Sequence, residues 1–199
     1  MAEVNPKLCI SLDDIDEGMD CNNIGNQGGI VPSVIYGYHA DVAVWPDYPV
    51  KTAEPLTLDQ AGTLTGDLVM KEGCRAYKME FTDNLAEFKM TDQGEAGSES
   101  TLMDLNIISP KMRKKVFGFQ NATKGRKMFF IVTDNNGTCY LMGDKRRGAQ
   151  QASGDGSTTG TDGSTRNQTS LHYTFTAPLK CVYEGDTEDL LTVKNAAAG

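Results

Sequence analysis

The sequence predicts a mainly β fold with one short flanking α-helix and long loops. Three observations carry this expectation. Residues 171–177 alternate strictly: Leu171, Tyr173, Phe175 and Ala177 point one way, His172, Thr174 and Thr176 the other. That period of two marks a strand with one buried face. Residues 126–134 and 138–145 flank the triplet "NNG", in which Asn136-Gly137 supplies the positive φ angles of a tight hairpin turn. Helical signal is confined to one segment, "SPKMRKKVFGFQNATKGRK", and a glycine interrupts it.

Taken in chain order, residues 31–45 read as two strands, at 33–38 and 41–45, and residues 64–71 as another. In residues 74–81, Tyr77, Met79 and Phe81 share one side while Lys78 and Glu80 share the other. After the short "TDN", residues 85–90 set Phe88 and Met90 on one side. The pair is expected to form a hairpin. Lys78, Glu80, Glu87 and Lys89 would then line its polar side. Residues 91–100, "TDQGEAGSES", read as a polar loop. Ser109 and Pro110 suit the N-cap and first position of the helix. Gly118 shortens that helix or confines it to 119–123.

Residues 148–170 contain no Val, Ile, Leu, Met, Phe, Tyr, Trp or Cys over 23 positions. Were this stretch a linker, the 29 residues after it would have to fold alone on one or two strands. So small a piece cannot bury enough surface. The strand at 171–177 is therefore expected to pair upstream, with 148–170 a long loop inserted in a single domain of residues 1–199. Residues 194–199 are expected to form a flexible end.

Composition excludes more than it assigns. The chain of 199 residues carries 27 acids against 19 Lys and Arg, a net charge of −8. Gripping a phosphate backbone requires the opposite balance. The longest purely apolar run, "MFFIV", is far too short to span a membrane. The N-terminus shows no basic start followed by an apolar stretch, so no secretory signal is expected. The sequons at Asn121, Asn136 and Asn167 then read as chance matches. Two histidines and five scattered cysteines offer no C-x-x-C and no metal-ligand spacing. "GDGSTTG" lacks the Lys of a phosphate-cradling loop. Asp155 and Asp162 lack the acidic density of a calcium loop. No catalytic constellation, metal or cofactor is expected.

Charge is nevertheless patterned. Asp13, Asp14, Asp16 and Glu17 cluster near the N-terminus. Residues 111–127 hold seven of the 19 basic residues, among them Lys111, Arg113, Lys114 and Lys115, and Arg146 and Arg147 follow Lys145. An acidic patch on one subunit and a basic patch on the next would make a head-to-tail contact, which closes into rings or extends into filaments. Two solvated surfaces are the plainer reading.

The order of segments resembles a known family. "CNNIGNQGGI" at 21–30 leads into "SVIYGYHADV" at 33–42, then "TLTGDLVM" at 63–70 and "RAYKMEF" at 75–81. A Ser/Glu-rich loop and a basic amphipathic piece follow. "KMFFIVTDNNGTCYLMG" at 127–143 and "TTGTDGSTRNQTSLHYTFTA" at 158–177 complete the series. Together, over about residues 20–190, they look like the major tail tube proteins of long-tailed bacteriophages, in a Bacteroidetes-phage-like form. The resemblance implies a tail-tube-type β-sandwich or barrel. It implies hexameric rings stacked head-to-tail into a tube, with one sheet of each subunit joining an inner barrel through which DNA passes at ejection. Its partners would be further copies of itself, the tape measure and terminator proteins and, in a contractile tail, the sheath. Its location would be the virion, after synthesis in the host cytoplasm. An acidic lumen would let DNA slide without adhering, and the polar side of the first hairpin, with Lys78, Glu80, Glu87 and Lys89, is expected to face it. Another virion protein, such as a tail terminator or capsid decoration protein, and a carbohydrate-binding β-sandwich module are the alternatives.

Overall fold

The computed structural model describes residues 9–15, 25–51, 54–154 and 156–193. The end expected to be flexible, 194–199, and the acids Asp16 and Glu17 lie outside the described residues. The fold is mainly β. Sheet one has the order β4-β1-β7-β8, from β4 (Tyr77–Glu80), β1 (Ile30–Tyr38), β7 (Met128–Asp134) and β8 (Cys139–Met142). Sheet two places β11 (Gln168–Ala177) beside β6 (Ser100–Pro110), and β6 beside β5 (Ala86–Gln93). The far edge of β11 carries two short strands, β9 (Gln150–Gln151) and β10 (Ser157–Thr158). All these pairings are antiparallel.

The two sheets close on one interior. β6 turns Met103, Leu105 and Ile107 inward, opposite Phe175, Tyr173 and Leu171 of β11. β7 contributes Met128, Phe130 and Val132 from the other side. Phe130 and Tyr173 meet across the interface with ring centroids 4.7 Å apart. The alternate residues of β7, Phe129 and Ile131, belong to a second core. That core is closed by β2 (Val42–Val44) paired with β3 (Val69–Met70), and by Cys181, Tyr183 and Leu190 of the C-terminal segment. β7 is thus buried on both faces, which is why it reads as a continuous apolar run. α1 (Leu58–Ala61) is a single turn capped reciprocally by Thr57 and Gln60. α2 (Lys114–Thr123) flanks the first core, with Phe119 edge-on to Tyr36 at 5.0 Å.

Several expectations are met. β7 and β8 form the hairpin around Asn136-Gly137, with Gly137 at φ 92°. β1 and β2 divide residues 31–45 as read. β11 pairs upstream along its whole length, with β6.

Three differ. Residues 74–81 and 85–90 do not form a hairpin: β4 pairs with β1 and β5 pairs with β6. The chain crosses from sheet one to sheet two through residues 82–85, where Asn84 adopts φ 58°. Met79 and Phe81 face the same interior as Phe88 and Met90. Alternation identifies the buried side of a strand, but two strands facing one interior need not share a sheet. Second, Ser109 and Pro110 do not start the helix. They end β6, opposite Thr169 and Gln168. The helix begins at Lys114, its N-cap Arg113 makes no side-chain cap bond, and Gly118 lies within it. Third, residues 91–100 are mostly strand and turn: β5 runs to Gln93 and β6 starts at Ser100.

Candidate functional site

Sheet two differs from sheet one in having an uncovered face. Inward residues of β6 and β11 are buried, and the residues between them are half-buried, except for the buried Ser170. On β5 the residues between are exposed. Registered rows cross this face. Glu87, Asn106 and His172 form one row, and Lys89, Asp104, Thr174 and Gln150 the next. The face is therefore mixed in charge and not strongly acidic. Asp104 and Asn106 belong to β6, which strand reading of the sequence missed. Met103, Leu105 and Ile107 supply a period of two there, but Leu102 and Ile108 on the opposite side blur it.

His172 organises the centre of the face. Its Nε2 lies 2.8 Å from Asp104 Oδ1, and its Nδ1 meets the carbonyl oxygen of Ser153. Both partners offer oxygen acceptors to the ring. Beside it, Ser170 Oγ donates to Asn106 Oδ1 at 2.9 Å.

The polar stretch 148–170 is fastened first to β7 of sheet one and then along the edge of sheet two. Ala149 and Met128 exchange backbone bonds of 2.7 and 2.8 Å. Ala152 N donates to His172 O, and Ser170 N to Gly156 O, each at 2.9 Å. The latter two bonds, with β9 and β10, cover most of the edge of β11. At the tip, Asp162 Oδ1 accepts from the hydroxyl and amide of Ser164 and from the hydroxyl and amide of Thr165. Those donors, Ser164 first, hold its carboxyl down to about 2. Asn167 then ties the tip to the basic segment: its carbonyl accepts from Lys111 N at 2.8 Å, its side chain from Met112 N at 3.0 Å.

The charged residues singled out by sequence are dispersed. Lys111, Arg113, Lys114 and Lys115 are exposed around the start of α2. Arg146 and Arg147 sit in a separate turn, where Asp144 Oδ1 accepts from both their amides at 2.7 Å. Lys127, beyond the other end of α2, reaches the Arg146 carbonyl at 3.4 Å. Asp13 and Asp14 are exposed on an N-terminal arm. Within this chain no ion pair joins either acid to the basic groups among the described residues. Lys78 and Glu80 pair with each other at 3.4 Å on β4 of sheet one, while Glu87 and Lys89 stand on β5 of sheet two. The four do not share a hairpin face, because no such hairpin exists.

Among the described residues, no group of three His, Cys, Asp or Glu side chains is placed to hold a metal ion. The four described cysteines are free thiols, and Cys181 is buried. No helix among the described residues is long and apolar enough to cross a membrane. No family model, curated protein or solved structure matches the chain.

Proposed function

We propose that this protein is a structural subunit of a phage tail tube, assembling into hexameric rings that stack head-to-tail around a channel for DNA. One observation carries the reading. β7, at the centre of sheet one, is covered on both faces, whereas sheet two keeps one face open. Sheet two also keeps one long edge open, since the eight residues of β5 pair only with β6.

An edge of that length invites pairing with another chain. Pairing it with the loop-bearing edge of a neighbouring copy extends sheet two sideways, and closing the series into a ring leaves sheet two no free edge. The open face then lines the channel. Glu87 and Asp104 outnumber Lys89 on that face, so the wall offers passing phosphates no basic grip. In this arrangement Lys78 and Glu80, on sheet one, lie away from the channel. Arg146, Arg147 and the basic start of α2 are available to contacts within and between rings. The tape measure, terminator and sheath proteins are the further partners, and the virion tail is the location.

Negative-stain microscopy of the purified chain across protein and salt concentrations tests this. Rings of sixfold symmetry, or tubes built from them, are expected. A chain that stays monomeric under every condition would sink the reading.

A further inference from the structure

We infer that a groove between β4 and α2 receives the N-terminal arm of a second copy of this chain. The groove is a cavity of about 460 Å³ at one end of the sandwich, within the roughly 300–1,000 Å³ that holds a small ligand or a few side chains. Its floor is apolar, formed by Tyr36, Phe81, Val116 and Phe119. Arg113 and Lys115 stand at its lip, with the Lys78–Glu80 pair beyond.

The arm has the complementary chemistry. Residues 12–15 read Leu-Asp-Asp-Ile. Leu12 is 82% exposed and Ile15 is 73% exposed. Large aliphatic side chains so open to water gain roughly 1.5–3 kcal/mol each on full burial. Asp13 and Asp14 lie between them, both exposed. Two aliphatic groups can enter the floor while the two carboxylates meet Arg113 and Lys115. The cationic lip then rejects a segment that is merely apolar.

The occupant comes from another molecule because the arm is anchored elsewhere. Ser11 N donates to Leu56 O at 2.8 Å, and Leu56 N to Cys9 O at 3.0 Å. Leu56 leads into α1 and on to Leu64, which packs in the second core. That core and the groove lie on opposite faces of sheet one. Layers of such a stack are roughly 10 Å apart. Four residues extend at most about 14 Å, too short to pass from one outer layer to the other. An arm leaving one copy and a groove open on the next is a heterologous contact, which repeats from copy to copy.

This contact rests on the self-assembly proposed above, and its test separates the two. One variant breaks the arm, Leu12→Asp with Ile15→Asp. Another breaks the groove, Arg113→Glu with Lys115→Glu. All four positions are exposed or at the surface, so circular dichroism and thermal melting should match the parent. By sedimentation, each variant alone should need at least tenfold more protein to associate than the parent. A 1:1 mixture should form pairs, because it retains one intact arm and one intact groove. Association of the arm variant at the parent's concentration would overturn the contact and leave the tube reading standing. A mixture no better than its components would overturn the assignment to a second copy. A parent that never associates would overturn both.

Discussion

Sheets one and two share an interior and differ in what covers their backs. Behind sheet one lie β2, β3 and the C-terminal segment, so β7 is apolar at every position from Met128 to Val132. Behind sheet two, beyond Ser153 and Gly154 against His172 and Ser170, lies solvent, so β6 and most of β11 alternate. One sheet has spent its surface within the molecule, while the other has kept a face and an edge. The difference assigns stability to the first and association to the second, and it can be broken by substitution.

The largest effect belongs where both sheets meet. Phe130 is fully buried against Tyr173. Phe130→Ala should cost about 3–5 kcal/mol, read from urea unfolding. Thr174→Ala, on the open face of sheet two, should stay within about 0.5 kcal/mol. Similar losses at both positions would erase the contrast.

Sheet two has one rigid requirement of its own. Gly94, in the turn from β5 to β6, sits at φ 108°, and a Cβ there would lie 2.2 Å from the Ser98 carbonyl oxygen. Backbone cannot yield as a side-chain tip can. Gly94→Ala should destabilise by about 1–3 kcal/mol and displace the free edge of β5. Association should therefore weaken more than stability alone explains. An unchanged melting temperature would show that the turn relaxes.

A smaller loss is expected at Tyr173, whose hydroxyl meets Thr123 Oγ1 at 2.7 Å inside the first core. Burial pushes this phenol up to about 12, against the opposing effect of the Thr123 bond. Tyr173→Phe keeps the ring and removes one buried hydrogen bond. Thr123 retains the Phe119 carbonyl as a partner for its hydroxyl. About 1 kcal/mol should be lost, measurable by chemical denaturation, and a loss above about 3 kcal/mol would contradict so local an account.

What the sequence makes legible follows the same division. β7, β8 and β11 are readable because a continuous apolar run, an Asn-Gly turn and a strict alternation are each local signals. The pairing of β11 upstream follows from the size of the remaining piece. The arch between β4 and β5 is not readable, because Met79 and Phe88 share an interior while their backbones pair in different sheets. β6 escapes because Leu102 and Ile108 put apolar groups on its outward side. The helix start is misplaced because Ser109-Pro110 fits a helix N-terminus as well as a strand end. The open face depends on β6, and the groove on tertiary approach of α2 to β4, so neither has a local signature.

The last expectation concerns the loop tip, where a wholly polar stretch builds its own turn. Asp162 is fully exposed, yet four donors from Ser164 and Thr165 hold its carboxyl near 2, below the usual value of about 3.9. The folded value is depressed, so the contribution to order is complete above the ordinary carboxylate range and is lost as pH falls through about 2. The Thr165 amide proton, followed by NMR, should titrate with a midpoint near 2, while amides of β7 keep their positions. Asp162→Asn retains an oxygen acceptor for the turn and should abolish that titration. Asp162→Ala should remove the downfield position of the Thr165 amide at every pH. A midpoint near 4 would mean the four bonds do not hold together in solution, leaving the tip free to take its shape from a neighbour.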